Sequence, residues 1–363
     1  MSTLFGSAAT TAAASNTTQG DLSKDVQVAN PPEDSVSSMK FSPTGDFLSV
    51  ASWDKKVRIY EIDGSGNTQG KALFEHEGPV LSTCWSPDGK MVFGGGADKA
   101  ARVLDLGSGG SAAQQVAAHD APIRSVQCCT INNSPMLITG SWDKTVKYWD
   151  LRQQQPVGTL DCKERVFSMD TRNDQMLVIG TAERQIHVVA LNNPGVIHKS
   201  VQSPLKWQTR VVSCFTDHTG FAVGSIEGRC AIQYVDPKDD PKNFSFKCHR
   251  QADPNNRDTS NVFAVNAIGF HPQHGTFSTA GSDGTFNFWD KDAKHRLKGY
   301  PEVGGTISCT DFDRTGNIFA YAVSYDWSKG HSFNTQQTPN KIMLHPIVGD
   351  ECKPRPKTAA GRK

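Results

Sequence analysis

Seven acidic turn residues recurring at intervals near 44 positions, flanked by short runs in which apolar and polar residues alternate, predict an all-β chain folded as a seven-bladed β-propeller. The acids are Asp54, Asp98, Asp143, Glu183, Glu227, Asp283 and Asp326, separated by 44, 45, 40, 44, 56 and 43 positions. Period-two runs such as Met39-Lys40-Phe41, Leu81 to Trp85 and Ile268-Gly269-Phe270 precede the turns and often close on Ser-Pro or Pro-Asp-Gly. Such punctuation reads as antiparallel strands joined by hairpins. Trp149-Asp150 and Trp289-Asp290 end two of the repeats, the mark of a WD-repeat propeller with four strands per blade.

In chain order, residues 1–20 are Ser/Thr/Ala-rich around one Leu4-Phe5-Gly6 and are expected to be a disordered arm. Residues 21–34 hold an unassigned alternation, Asp25 to Ala29. An open ring would leave sheet edges bare, so this segment is expected to close the last blade. The blades fall near 35–63, 76–106, 119–151, 162–191, 206–236, 261–290 and 304–347, and the propeller as a whole spans 21–348. Residues 349–363 form a basic tail.

The composition bounds the function. With 363 residues, 38 basic and 37 acidic side chains give a net charge of +1, so any nucleic-acid surface has to be local. No apolar run approaches the ~18 residues that span a bilayer, and the start lacks a signal-peptide pattern, which points to the cytosol or nucleus and no membrane partner. Nine scattered cysteines without a C-x-x-C pair suggest small buried hydrophobes rather than a metal site.

His119, Thr139, Asp143 and Trp149 combine imidazole, hydroxyl and carboxylate, as a hydrolase would. The alternative is the buried hydrogen-bond chain that ties strands to the turn in WD-repeat propellers. With no nucleophile elbow, P-loop or H-E-x-x-H, that structural network is the expected reading, and neither catalysis nor a cofactor is expected. Gly94-Gly95-Gly96 falls inside a strand and is read as packing relief rather than a phosphate loop.

Partner binding leaves other marks. Trp53, Trp142 and Tyr325 stand just before the turn acids, where a large ring has little core to fill, so they are candidate anchors; packing on a neighbouring loop is the alternative. Arg184 and Arg229 follow the two turn glutamates, and arginine grips carboxylates in a fork. A salt bridge from Arg229 to its own Glu227 is the competing reading. The 56-residue interval holds an insertion, Asp236 to Asn261, carrying Phe244, Phe246, Lys247, His249, Arg250 and Arg257. The run Lys291 to Lys298 adds Lys294 and Arg296 beside Trp289. Basic residues interleaved with aromatics can follow a phosphate backbone, or simply be a solvated loop.

SWDK at 52–55 and 141–144, IEGRCAIQY at 226–234, FKCHR at 246–250, GSDGTFNFWDKDAKHRL at 281–297 and NIFAYAVSYDWSKGH at 317–331 together resemble the nuclear-pore messenger-RNA export WD-repeat family over residues 21–357. The IEGR, FKCHR and GSDG strings are also similar to its sister, the mitotic-checkpoint WD-repeat family. SYDWSKGH and the Phe-Gly-bearing arm favour the export family. The resemblance implies a non-enzymatic nuclear-pore adaptor, found at the nuclear envelope and also in the cytoplasm. It would dock the GLEBS segment of an FG-repeat nucleoporin, with Arg229 meeting peptide glutamates, and act with the export machinery. The propeller itself would be monomeric, paired with one peptide. The resemblance also implies single-stranded RNA on a basic surface of Phe246, Trp289, Lys291, Lys294 and Arg296, to which Lys247 and Arg250 of FKCHR are added. At Lys294 the family can show arginine, whose two-pronged grip a lysine lacks. As a checkpoint-type adaptor, the chain would instead bind GLEBS segments of kinetochore kinases and phosphopeptides.

Overall fold

The computed structural model describes residues 19–355 except 65, 108–111, 173 and 257. Residues 1–18 of the arm, residues 356–363 of the tail and Arg257 lie outside the described residues. Seven four-stranded antiparallel sheets form the blades, and a two-stranded hairpin pairs Arg250–Ala252 with Ser260–Val262.

The innermost strands, blade one to blade seven, are Val36–Phe41, Val80–Trp85, Ile123–Ile131, Val166–Arg172, Thr209–Cys214, Val265–Phe270 and Ile307–Phe312. Each blade then steps outward strand by strand. The outermost strands are Thr68–Glu75, Gln114–Ala118, Gly158–Asp161, Ile197–Gln202, Phe244–Lys247 and His295–Gly299. The sequence-derived blade spans stop short of these. The outer strands bury few side chains, as in Thr68–Glu75, so their apolar pattern is faint.

Blade seven takes its fourth strand from the other end of the chain. Val26–Gln27 pairs antiparallel with Lys341–Pro346, Val26 opposite Leu344. Next to it, Val28 is fully buried in an apolar cluster with Met39, Val50, Ile342 and Leu344, which joins blades one and seven. Apolar clusters of the same kind fill the other blade interfaces, so the core is a ring of wedges rather than one centre.

Two local devices repeat. The residue after each turn acid is left-handed: Lys55, Lys99, Lys144, Arg184, Gly228, Gly284 and Trp327 have φ between +61° and +74°. The acid's neighbours close the turn, as where Asp143 Oδ1 accepts the Thr145 backbone N–H at 2.9 Å. Each innermost strand also shifts register after its first residue, for example between Ile123 and Ser125 and between Thr209 and Val211. That bulge leaves the second residue unpaired in the ladder and re-aims its side chain. Of the second residues, Ser37, Arg124, Arg210, Asn266 and Ser308 line the axis at one end.

The glycine run has a packing explanation. A Cβ on Gly94 would lie 2.8 Å from His76 Nε2, and one on Gly95 2.6 Å from Val126 Cγ1 of the next blade. The nine cysteines are all free, most of them buried.

Candidate nucleoporin-peptide and nucleic-acid surfaces

In each blade the turn after the second strand and the segment leading into the next blade lie at the same end, called here the turn face. Trp53 stacks on Trp327 there, with centroids 3.8 Å apart and an interplanar angle of 22°. Trp142 is 38% exposed. Tyr325 departs from its expected role as a surface anchor. It is buried, its hydroxyl donates to the Gly330 carbonyl and accepts the Lys329 N–H, and its ring braces Trp327 at 5.5 Å. The SYDW string thus makes Tyr325 a strut and Trp327 the face residue. The Trp327 indole N–H has no partner among the described residues. Trp207, the most exposed large apolar side chain among the described residues at 59%, stands on the same face just before Thr209, and Ile226 is exposed as well. Both were missed. An aromatic in a polar lead-in with no strand to serve was the signal for Trp207.

The two arginines following turn glutamates are not equivalent. Arg184 occupies the left-handed turn position and donates to the Leu205 carbonyl at 2.9 Å, a fastening to its own blade. In blade five Gly228 takes that position, and only glycine fits, because a Cβ would sit 2.2 Å from the His249 carbonyl oxygen. Arg229 therefore enters the next strand, 3.9 Å from Glu227 through Nε and 31% exposed. Arg250 donates to the Glu227 carbonyl at 3.0 Å and to its carboxylate at 3.3 Å. Glu227 is thus shared by two cations, and the weaker-held one, Arg229, retains N–H groups for an incoming carboxylate.

Arg250 is tied to Glu227 at the turn face and also lines a cleft with Arg296 of the basic run of blade six, so it stands between the two surfaces. Two members of the surface drawn from sequence need correcting. Lys291 is only 7% exposed: it pairs with Asp292 at 2.8 Å and lies over the Phe215 and Tyr234 rings at 5.1 and 5.9 Å. Burial works against its charge, yet Asp292, Tyr234 and Asp217 hold its pKa above the ordinary lysine value. Trp289 is pinned by its indole N–H to Thr279 Oγ1 at 2.9 Å and packs on Phe246 at 4.6 Å. The exposed remainder is Lys294 and Arg296, with Lys247 further along the neighbouring outer strand. Lys294 Nζ lies 4.9 Å above the Phe244 ring, which continues to Phe246. The chain's C-terminal segment joins this edge, since the Arg355 backbone N–H donates to Asp290 Oδ2 at 3.2 Å.

Trp289 is pinned because blade six repeats the network of blade three. There His119 Nδ1 meets Asp143 at 2.7 Å, its Nε2 meets Thr139 Oγ1 at 2.7 Å, and Trp149 Nε1 donates to the same hydroxyl at 2.8 Å. In blade six His249, Asp283, Thr279 and Trp289 take these places at 2.9 to 3.0 Å. Burial lowers the His119 pKa despite Asp143, so the imidazole is neutral and bridges acid to hydroxyl. The hydroxyl is held between two rings, inside the blade.

Residues 24–61, 67–105, 110–150 and 255–290 match the WD domain, G-beta repeat family. They cover the three inner strands of blades one, two, three and six, each of which has aspartate at its turn. The WD40 propeller domain of Doa1 superposes with a TM-score of 0.67 over 90% of this chain and 97% of that one, at 16% identity, a likeness of fold alone. The mRNA export factor GLE2 of Chaetomium thermophilum is 61% identical over 360 residues, covering 98% of this chain and 99% of that protein. The Poly(A)+ RNA export protein of Schizosaccharomyces pombe is 58% identical over 355 residues, with the same coverage of each. With this identity over nearly its whole length, the chain belongs to the WD-repeat messenger-RNA export factor family.

Proposed function

We propose that the chain is a non-enzymatic adaptor of messenger-RNA export that holds the GLEBS segment of an FG-repeat nucleoporin on its turn face and single-stranded RNA on the basic edge of blade six, at the nuclear pore. Family membership supports the export role. What carries the peptide reading is the pairing of exposed Trp142, Trp207 and Ile226 with Arg229, which only partly neutralises Glu227. A peptide ordering on this face would lose several kcal/mol to that ordering, and aromatic anchors and a carboxylate-arginine grip supply the surplus.

Arg229→Glu is expected to weaken binding of a GLEBS peptide by ~2 kcal/mol or more, because it turns attraction into repulsion beside Glu227. Calorimetry measures this, and wild-type affinity in R229E would remove Arg229 from the peptide site.

For RNA, Lys294 and Arg296 are the exposed cations beside the Phe244–Phe246 edge. Each change to alanine should leave stability within ~0.5 kcal/mol and flatten the dependence of log affinity on log salt by about one unit. Fluorescence anisotropy with a single-stranded oligonucleotide at several salt concentrations reads both. An unchanged slope in the double variant would move the RNA elsewhere.

A further inference from the structure

The axis of the ring is an open channel of about 590 Å³, lined by the innermost strands of all seven blades. Its charges are unevenly matched. Midway along, Lys40 pairs with Asp311 at 3.1 Å. Asp170 accepts the Cys214 N–H at 2.7 Å and the Ser213 hydroxyl at 3.2 Å. At the turn-face end, the strand bulges turn Arg124 and Arg210 into the channel. Among the described residues no carboxylate oxygen lies within 4.0 Å of either guanidinium. Arg124 makes one hydrogen bond, to the Leu81 carbonyl at 3.3 Å. Arg210 donates to Asn266 Oδ1 at 3.2 Å and to the Asp326 backbone carbonyl at 2.9 Å. The Asp326 carboxylate, which accepts Ser282, Asn266 and Ser328, makes no ion pair with Arg210, but its charge favours the Arg210 cation against burial.

We infer that this end of the channel is a binding site for a small tetrahedral oxyanion of the phosphate class, gripped between Arg124 and Arg210. Two half-buried cations that repel one another, with only the Asp326 carboxylate offsetting Arg210, leave this end of the channel short of negative charge. Burial and the charge of Arg210 together push the Arg124 guanidinium down to about 10, a penalty that an anion between them reverses. The free guanidinium N–H groups present the planar fork that matches oxyanion geometry. The channel is far roomier than the ~30 Å³ of one water, so the anion can enter with its first hydration shell.

The test is thermal unfolding of the full chain in sodium phosphate, sodium sulfate and sodium chloride at matched ionic strength. Three proteins are compared: wild type, Arg124→Gln and Arg314→Gln, the last altering an exposed arginine at the opposite mouth. Wild type and R314Q should gain ~4 °C in about 20 mM phosphate or sulfate over chloride, as a millimolar ligand of the folded state would give. R124Q should lose most of that gain, and its phosphate affinity by ³¹P line broadening should fall at least ~10-fold. General salting-out acts on all three alike. An equal gain in R124Q, a loss shared by R314Q, or no difference between phosphate and chloride in wild type would each overturn the proposal. Should R124Q fail to fold, R124K keeps the charge without the fork: affinity ~3-fold weaker supports the site, and unchanged affinity rejects it.

Discussion

An internal deletion of residues 21–30 is expected to lower the melting temperature by about 10 °C or more. Three losses combine. The Lys341–Pro346 strand becomes a bare edge, buried Val28 leaves the interface of blades one and seven, and Asp25 leaves His345. The last is the largest. His345 is 2% exposed, its Nδ1 lies 2.6 Å from Asp25 and its Nε2 3.4 Å from Glu351. Burial disfavours the charged ring, but the hydrogen bonds to the two carboxylates outweigh it and raise the pKa to about 9 from an ordinary 6.5. A folded-state pKa above the unfolded value stabilises at low pH. The contribution, about 3 kcal/mol, is complete below pH 6.5 and is lost as pH rises through about 9. Asp25→Asn alone should therefore cost ~3–5 kcal/mol at neutral pH and flatten the fall in stability between pH 6.5 and 9. Urea melts at pH 6, 8 and 9.5 measure both, and parallel curves for D25N and wild type would dissolve the latch.

Trp289→Ala is expected to cost ~3 kcal/mol of stability, an effect that would masquerade as lost RNA binding. The ring fills space against Phe246 and the cluster of Phe270 and Phe277, and its N–H joins Thr279 in the blade-six network. Trp289→Phe keeps most of the packing and should cost ~1 kcal/mol for the hydrogen bond. Urea denaturation separates the two, and a W289A chain as stable as wild type would return the ring to a surface role. RNA assays belong with Lys294 and Arg296.

The ring was legible because its turns obey local chemistry. An acid followed by a residue able to turn left-handed recurs seven times, and Val26-Gln27-Val28 was the alternation left without a partner. The blade-three network could also be read, since His119, Thr139, Asp143 and Trp149 fall within 31 residues. Its blade-six copy was hidden by a ten-residue displacement. His249 stands 34 residues before Asp283, where His119 stands 24 before Asp143, because the exposed hairpin intervenes. Subtracting that hairpin would have exposed it and removed Trp289 from the RNA surface. What no local pattern carried was which charges the fold enclosed. Lys291 and Lys294 are three residues apart, yet one is covered by Phe215 and Tyr234 of blade five and the other stays in solvent.

Closing the ring with its first strand also sets a timetable for synthesis. Val26 waits for Leu344, roughly 300 residues later in the chain. At ribosomal speeds of about 5–20 residues per second, the waiting segment stays unpaired for some ~15–60 s. Blades one to six can form as they emerge, but the wedge of blade one that faces blade seven, with Met39 and Val50, remains open until the last strand arrives. The nascent protein is thus a nearly complete arc with two complementary sticky ends. In a polysome, where such arcs crowd along one message, the end of one chain can meet the start of another. Rapid capture of the first strand by its own last blade is what separates a ring from a chain of linked arcs.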